Sequence, residues 1–454
     1  MPVKLQPEVL LVAALAVAVL LSYKQTTAFL KKRLHHVKTH PDVKSDPEAA
    51  GSRRGSRYSA GEGEVPAPKP LMITPEQVHN YDDRPWRPFR WPYHQTMSIF
   101  KLDINHWLDM DKYYIHYIEE KKRIWMKYGK QNIDWLPESE DACLELMEMV
   151  MDHMVARYPL LFTVLKHGTY DSKPGSGRII KNEITHEILD MTYPLKEHPL
   201  LYVSKVAKED FYVAQKNPED GKHYLVAAAV PFPGGLFGID EKLGKNLDVI
   251  HADVPYYKEK LQKSMERWFD RMKASDPVER ASWYVTWDHK LKTNNVYQLP
   301  QHNPNSEADL KSTDPREFNV RVERQTLRRL PKSKAIIFTN HPIFYSIEEM
   351  KDEPMVPSLL RKILYEGPED IVKYKNFAKF RDHIVEYLDG LVQRQIDHGL
   401  ISADQPLKTL PTYPFAHWAT TDFDHVNGWT NPSPAYTKSD NYTARAKQEI
   451  GEHD

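Results

Sequence analysis

Cysteine is almost absent from this sequence: among its 454 residues there is one, Cys143. A single thiol excludes an intrachain disulfide, a thiolate-rich zinc site and an iron–sulfur cluster carried by this chain alone. An excess of charge of either sign is lacking too, because 62 basic and 63 acidic side chains leave a formal net charge of −1. This balance gives no basis for a nucleic-acid partner.

Several motifs that identify enzyme classes are also missing. The sequence contains no G-x-G-x-x-G ahead of a helix, no P-loop, no H-E-x-x-H and no G-x-S-x-G. Dinucleotide binding, phosphoryl transfer, zinc proteolysis and serine hydrolysis therefore have no support. C-x-x-C-H is absent as well, so any heme would be bound non-covalently.

One long hydrophobic run is present, at residues 9–21, where every residue is apolar. The run is short for a bilayer span, which needs roughly 20 residues, and its length also fits the core of a signal peptide. However, only Lys4 precedes it, no small-x-small cleavage motif follows, and basic residues come soon after, at Lys31, Lys32 and Arg33. We therefore predict that residues 1–37 form an uncleaved, single-pass membrane anchor, with the bulk of the chain on the cytosolic side.

The rest of the sequence divides by composition. Residues 38–80 are rich in proline, glycine, serine and charge and poor in large apolar groups, which predicts a flexible linker. Residues 81–400 carry the periodic apolar patterns of a folded domain. Residues 401–454 return to proline, glycine and polar residues, which predicts an irregular C-terminal tail.

Two periodicities predict the fold of the central part. Apolar residues at spacings of three and four predict helices at residues 141–157, after Pro255, and within residues 355–400. β-branched and aromatic residues predict strands in the segments ITHEILDM, DFYVAQK, HYLVAAAVPFP, RASWYVTWDHKL and AIIFTNHPIFYSI. Residues 216–222 join two of these strands and are typical of a hairpin loop. The order indicates an α+β domain in which a mostly antiparallel sheet surrounds one organising helix.

His251 lies just ahead of that organising helix, which begins at Pro255. The positive end of a helix dipole favours the neutral imidazole that a metal ligand requires. A histidine whose hydrogen bonds are satisfied at a loop–helix junction would show the same local pattern. Both interpretations are open on these residues alone.

A second informative segment is VRVERQTLRRLPKSKAIIF, residues 320–338. If it is a helix that ends at Pro331, then Arg321, Arg324 and Arg328 lie on one face. Three guanidiniums on one face suit a dianionic or carboxylate-bearing ligand. The alternative is a solvated basic face with glutamate partners.

Three segments together resemble a known family. They are KLGKNLDVIHADVPYY around His251, RASW at residues 280–283, and ERQTLRRLP at residues 323–331. This combination is similar to the heme-dependent oxidative N-demethylase α-subunit-like proteins of bacteria and fungi. The lead-in RPFRWPYHQTMSI, the triplet RYP at residues 157–159 and the hairpin before Phe232 also resemble it, so that the similarity spans about residues 84–400.

The resemblance implies a PAS-like α+β fold that holds one heme b and activates dioxygen. It implies a monooxygenase that demethylates a small or lipophilic amine, with electrons from a separate flavin/iron–sulfur reductase. By position in the motifs, His251 is the candidate axial metal ligand. Arg321, Arg324 and Arg328 are candidates for the heme propionates, and Glu323 is the candidate for binding the amine or relaying a proton.

The sequence departs from the family pattern in one place. After the strand AIIFT, relatives continue with Ile-Arg-Thr-Tyr, whereas this chain has Asn340-His341-Pro342-Ile343. His341 is the candidate to replace the missing catalytic groups. Two functions therefore stay open: a membrane-tethered heme monooxygenase, and a non-catalytic heme-binding PAS-like sensor or carrier.

Overall fold

The computed structural model describes residues 65–94, 96–234, 239–292 and 310–416. All of these belong to the unit formed by residues 56–454. The predicted membrane anchor, with its apolar run at residues 9–21, lies outside the described residues. Within the described part of the chain, we find no helix with both the length and the apolar character needed to cross a bilayer.

The described residues contain eight helices and ten strands. The helices are α1 (Tyr114–Tyr128), α2 (Glu140–Arg157), α3 (Pro199–Ser204), α4 (Leu247–Ile250), α5 (a π-helical turn at Tyr257–Leu261 that continues as an α-helix over Gln262–Arg271), α6 (Val356–Glu366), α7 (Glu369–Tyr374) and α8 (Phe377–Asp397). The strands are β1 (Phe100–Lys101), β2 (Ile133–Trp135), β3 (Phe162–Lys166), β4 (Gly177–Asn182), β5 (Ile188–Thr192), β6 (Asp210–Lys216), β7 (His223–Ala229), β8 (Val278–Thr286), β9 (Asn319–Arg329) and β10 (Ile336–Ser346). Short 3-10 turns lie at Pro75–Asn80, Ile104–His106, Gly129–Gln131, Pro137–Ser139, Ile239–Glu241, Pro315–Glu317 and Glu348–Met350.

The large sheet has seven strands in the order β1-β8-β9-β10-β6-β7-β2, and every neighbouring pair is antiparallel. A small antiparallel sheet contains β3, β4 and β5. The predicted α+β class with a mostly antiparallel sheet flanked by helices is therefore confirmed. The hairpin between β6 and β7 is also confirmed, since the Asn217 N–H donates to the Lys222 carbonyl at 2.8 Å.

Because side chains alternate along a strand, the large sheet has two different faces. One face is buried against helices: Phe211 and Val213 of β6 lie in the same core as α2, while Val320 and Val322 of β9 lie in the core formed with α6 and α8. Each large apolar side chain that is fully buried in this way stabilises the fold by about 1.5–3 kcal/mol. The opposite face is covered by α5, and a cavity remains between them.

The helix predicted at residues 320–330 is wrong, because this segment is the central strand β9. Val320 and Val322 alternate with Arg321 and Glu323, and the strand is paired with β8 on one side and β10 on the other. Strand pairing on both sides requires side chains to alternate between the two faces of the sheet, and this requirement overrides the helical spacing of the arginines.

The folded part begins earlier than predicted. Leu71, Ile73 and Val78 are buried in the core that contains α2, and the Leu71 N–H donates to the Arg157 carbonyl at 2.6 Å. The prediction of a flexible linker is therefore wrong for residues 65–80, where a few apolar side chains suffice to fix an otherwise polar segment. At the other end, residues 401–416 are irregular, and Phe415 forms an antiparallel bridge with Trp86.

Candidate functional site

A cavity of about 320 Å³ lies between α5 and the face of the large sheet that α5 covers. The sheet contributes one wall because β6, β7, β8, β9 and β10 each direct every second side chain to this side. The helix contributes the other wall with residues at spacings of three and four. The apolar lining consists of Tyr212, Leu225, Leu327, Ile336 and Phe338 from the sheet and Tyr257, Leu261, Met265, Trp268 and Phe269 from the helix.

His251 lines this cavity at the end of α4. Its Nδ1 lies 2.7 Å from the carbonyl oxygen of Leu247. A carbonyl can only accept, so Nδ1 carries the proton. Burial lowers the pKa of His251 to about 4, which keeps the ring neutral and leaves a lone pair on Nε2. Among the described residues Nε2 has no hydrogen-bond partner.

Tyr257, the first residue of α5, holds the His251 ring in place. The two rings stack with their centroids 5.4 Å apart and their planes 17° apart. The Tyr257 hydroxyl in turn donates to Asp248 of α4 at 2.8 Å. The imidazole is therefore fixed by both helices and by the backbone, as a metal-ligating histidine usually is.

Glu323 of β9 lines the same cavity. Its carboxylate accepts from Nε of Arg321 at 2.5 Å and from the side-chain amide of Asn340. Gly234 also lines the cavity, and a Cβ atom there would lie 3.0 Å from Oε1 of Glu323. The backbone at residue 234 thus approaches the carboxylate as closely as a glycine allows.

Three further cations line the cavity: Arg280 of β8, Lys375 at the end of α7, and Lys242, which has the charges of Glu241 and Asp253 nearby. Lys375 donates to the Trp283 carbonyl at 2.7 Å and lies 3.5 Å from the Ser282 hydroxyl. Burial, together with the positive charge of Arg280, lowers the pKa of Lys375 to about 7. Burial also lowers the pKa of Arg280. Its Nε is a buried donor without a partner among the described residues.

Arg321 lies beside the cavity, but four of the five N–H donors of its guanidinium are already engaged. Besides pairing with Glu323, it donates to the carbonyls of Lys290 and Leu291 at 2.9 Å each and of Phe232 at 3.2 Å. These bonds join β9 to two connecting segments. Arg321 is therefore a structural residue that fixes the position of Glu323.

Arg324 and Arg328 are three and seven residues after Arg321 on the same strand. Successive side chains of a strand point to opposite faces, so residues an odd number apart lie on opposite faces. Both arginines therefore lie on the face of the sheet away from the cavity. Arg324 pairs with Asp109 and with Glu279, at 3.3 Å each. Arg328 lies over the ring of Trp107, 4.0 Å from its centroid. The prediction that the three arginines share one face is wrong.

His341 also lies on that opposite face, where it pairs in register with Arg324. Its Nε2 is 3.4 Å from Nζ of Lys208, and its ring packs 5.0 Å from that of Tyr117. Burial, with the charges of Lys208 and Arg324, holds the pKa of His341 well below its ordinary value. His341 and Glu323 are therefore not brought together, and Asn340 is the residue of this segment that contacts Glu323.

With the cavity defined, the sequence can be compared with known families. Residues 98–385 match the family described as haem-dependent oxidative N-demethylase, alpha subunit-like. The match covers more than half of the chain's 454 residues. The chain belongs to this family. The matched range takes in His251, Arg280, Glu323 and Lys375, so nearly the whole cavity of this N-demethylase-like protein lies within the family region.

The cavity of the N-demethylase-like protein can be tested for its fit to heme. The described residues contain no group of three or more His, Cys, Asp or Glu side chains that could hold a metal ion directly. A single neutral imidazole, apolar walls and three cations suit a porphyrin instead, because the ring supplies the other metal ligands and carries two carboxylates. The residues therefore fit the group.

Sequence reasoning placed His251 and Glu323 at the site of this family member but missed Arg280 and Lys375. Arg280 stood inside the family motif RASW, which was a signal that the sequence offered. Lys375 follows a short polar helix, and no local pattern distinguishes it from a surface lysine.

Proposed function

We propose that this protein binds one heme b non-covalently in the cavity under α5, with Nε2 of His251 as the axial ligand. The observation that carries the proposal is the hydrogen bond from Nδ1 of His251 to the Leu247 carbonyl, which fixes the ring and its tautomer. Thiolate ligation has no comparable support. Cys143 is fully buried in α2, contacts Ser139 and does not line the cavity, and burial raises the pKa of its thiol to about 12.

The reaction that we propose is oxidative N-demethylation of a small or lipophilic amine. The bound heme would supply the dioxygen chemistry. The apolar walls from α5 and the sheet exclude water, and Glu323 offers carboxylate lone pairs to an amine N–H. Electrons would come from a separate flavin/iron–sulfur reductase, since this sequence has neither a dinucleotide fingerprint nor a cysteine cluster. A PAS-like arrangement of the large sheet and a membrane anchor at residues 1–37 belong to the same proposal.

Absorption spectroscopy on the full-length protein, produced with a heme supply, tests the ligand. His251→Ala should shift or abolish the Soret band, whereas Cys143→Ser should leave it unchanged. His198→Ala is a matched control, because the pKa of His198 is also lowered to about 4 by burial but its ring stacks on Trp135 away from the cavity. A Soret band that survives in His251→Ala and is lost in Cys143→Ser would reverse the assignment.

A heme-binding sensor or carrier is the second candidate, and the pairing of Glu323 favours it. Glu323 is the sole carboxylate that lines the described cavity, and both its oxygens already accept from Arg321 and Asn340. Formaldehyde release that depends on NADPH and an added flavin/iron–sulfur reductase separates the candidates. A heme-loaded protein that releases no formaldehyde from dimethylamine or from longer N-methylamines would be a sensor or carrier.

A further inference from the structure

The charges around the cavity do not balance. Arg280 and Lys375 line it without a carboxylate partner among the described residues, while the one lining carboxylate in that part of the chain, Glu323, is engaged by Arg321 from beside the cavity. A buried charge without a counter-charge is costly, and proteins usually pair it or bind a ligand of opposite sign. The imbalance therefore points to an anion in the cavity.

Arg280 has the clearest unused hydrogen-bonding capacity. Its guanidinium makes no hydrogen bond or ion pair with any described residue, and its Nε is buried. On the same strand β8, Ser282 also faces the cavity and lies 3.5 Å from Nζ of Lys375. These contacts place the two cations at one end of the site, on β8 and at the end of α7.

Lys375 is buried, with 5% of its surface exposed, and no carboxylate of the described residues pairs with it. Its ammonium lies 4.6 Å from the centroid of the Tyr284 ring and donates to the Trp283 carbonyl. An aromatic face and a carbonyl stabilise a cation only partly. Because an ammonium has three protons, at least one remains for a ligand.

We infer that Arg280 and Lys375 form the anion-binding end of the cavity and hold carboxylates of its ligand, which are the two propionates of heme b if the proposed function is right. Arginine and lysine both bind carboxylates by charge-assisted hydrogen bonds. The three arginines that the sequence suggested are engaged elsewhere. Arg321 bonds to Glu323 and backbone carbonyls, Arg324 pairs with buried carboxylates, and Arg328 lies over the ring of Trp107 on the opposite face of the sheet. The inference names the binding residues of the proposed cofactor, so it rests on that proposal.

The test compares heme with heme dimethyl ester, whose propionates carry no charge, by titration of the heme-free full-length protein. Wild type should bind heme at least about tenfold more tightly than the ester, since one charge-assisted bond accounts for that ratio. Arg280→Gln and Lys375→Gln should each reduce this preference about tenfold. Lys373→Gln is the matched control, because Lys373 lies on the same helix and pairs with Glu369 at the surface.

Iron-free protoporphyrin IX and its dimethyl ester separate this inference from the proposed function, because neither can use an axial ligand. If heme binds and both glutamine variants keep the full preference for the free acid, the anion-binding end is refuted while the heme proposal stands. If protoporphyrin shows the preference and heme gives no His251-dependent Soret band, the anion-binding end stands and the heme proposal fails. If wild type binds neither porphyrin, both are overturned.

Discussion

Replacing Arg324 by alanine should destabilise the fold instead of weakening heme binding. Arg324 is 2% exposed and pairs with Asp109 and Glu279 at 3.3 Å each. It also donates to the carbonyl of His106. In the variant the two carboxylates would share one guanidinium, that of Arg84, which lies 3.4 Å from Asp109 and 2.5 Å from Glu279.

The expected loss is about 3–5 kcal/mol in the free energy of unfolding, the range for removing one partner of a buried ion pair. Asp109 shows why the cost is high. Burial alone would raise the pKa of its carboxyl, but the charges of Arg324, His106 and Arg84 hold it well below its usual value. Without Arg324, a carboxylate that is ionised at neutral pH loses the largest of these compensating charges.

Urea unfolding followed by circular dichroism measures this difference by linear extrapolation. Arg316→Ala is the matched control, because Arg316 is an exposed arginine that pairs with Asp314 at 2.5 Å. An exposed pair of this kind contributes up to about 1 kcal/mol. If Arg324→Ala does not accumulate as folded protein, Arg324→Lys keeps a positive charge and should lose less.

Two outcomes would refute this reasoning. A stability within about 1 kcal/mol of wild type would mean that the buried ion cluster does not need Arg324. Unchanged stability together with lost heme would restore the propionate role that the sequence suggested for this residue. Both measurements use the same protein preparation, so that they can be compared directly.

Two further predictions concern ligand binding and membrane attachment. In the ligand-free protein the pKa of Lys375 is about 7, so this side chain is mostly neutral above pH 7. The other titratable residues on this side of the cavity lining are Arg280, Tyr284 and Tyr374. A bound carboxylate would raise this pKa and cause proton uptake; the preference for heme over its dimethyl ester should therefore fall as the pH rises above about 7 in wild type but stay flat in Lys375→Gln. Deletion of residues 1–22 should move the protein from the membrane pellet to the supernatant, because burial of the apolar run at residues 9–21 would supply the attachment. Full-length protein in the supernatant would contradict the anchor.

The sheet could be predicted from the sequence wherever strand and turn signals coincide. β6 and β7 carry aromatic residues and valine and are joined by a polar loop, and both strands form as predicted. α2 follows its apolar spacing in the same way. In these elements the local pattern and the tertiary packing favour the same structure.

β9 could not be predicted because its sequence carries two periods at once. Arg321, Arg324 and Arg328 recur at helical spacing, while Val320 and Val322 alternate as in a strand. Pairing with β8 and β10 decides between them, and that pairing joins segments that are distant in sequence. A local pattern cannot contain such information.

In the candidate site, too, some residues could be identified from the local sequence and others only from the folded structure. The tautomer of His251 depends on a carbonyl four residues earlier, so the family motif that contains His251 also contains its hydrogen-bond acceptor. Arg280 and Lys375 come from β8 and from the end of α7, and only the folded chain brings them to one cavity. The cofactor's proposed metal ligand, His251, and one proposed partner of its carboxylates, Arg280, lie in family motifs and could therefore be found by sequence comparison, whereas Lys375 could not.

The surroundings of Glu323 bear on the choice between the two candidate functions, because they determine how many acceptor positions its carboxylate keeps. Each carboxylate oxygen can accept about two hydrogen bonds, and Arg321 and Asn340 take one on each oxygen. One acceptor position per oxygen is left. Gly234 has no side chain to cover Oε1, and a Cβ atom there would stand 3.0 Å away. A demethylase needs this uncovered acceptor for its amine, whereas a sensor or carrier has no use for it. The Phe232 carbonyl, two residues before Gly234, accepts from Arg321, so the backbone segment that helps to fix Glu323 also leaves it open to the cavity.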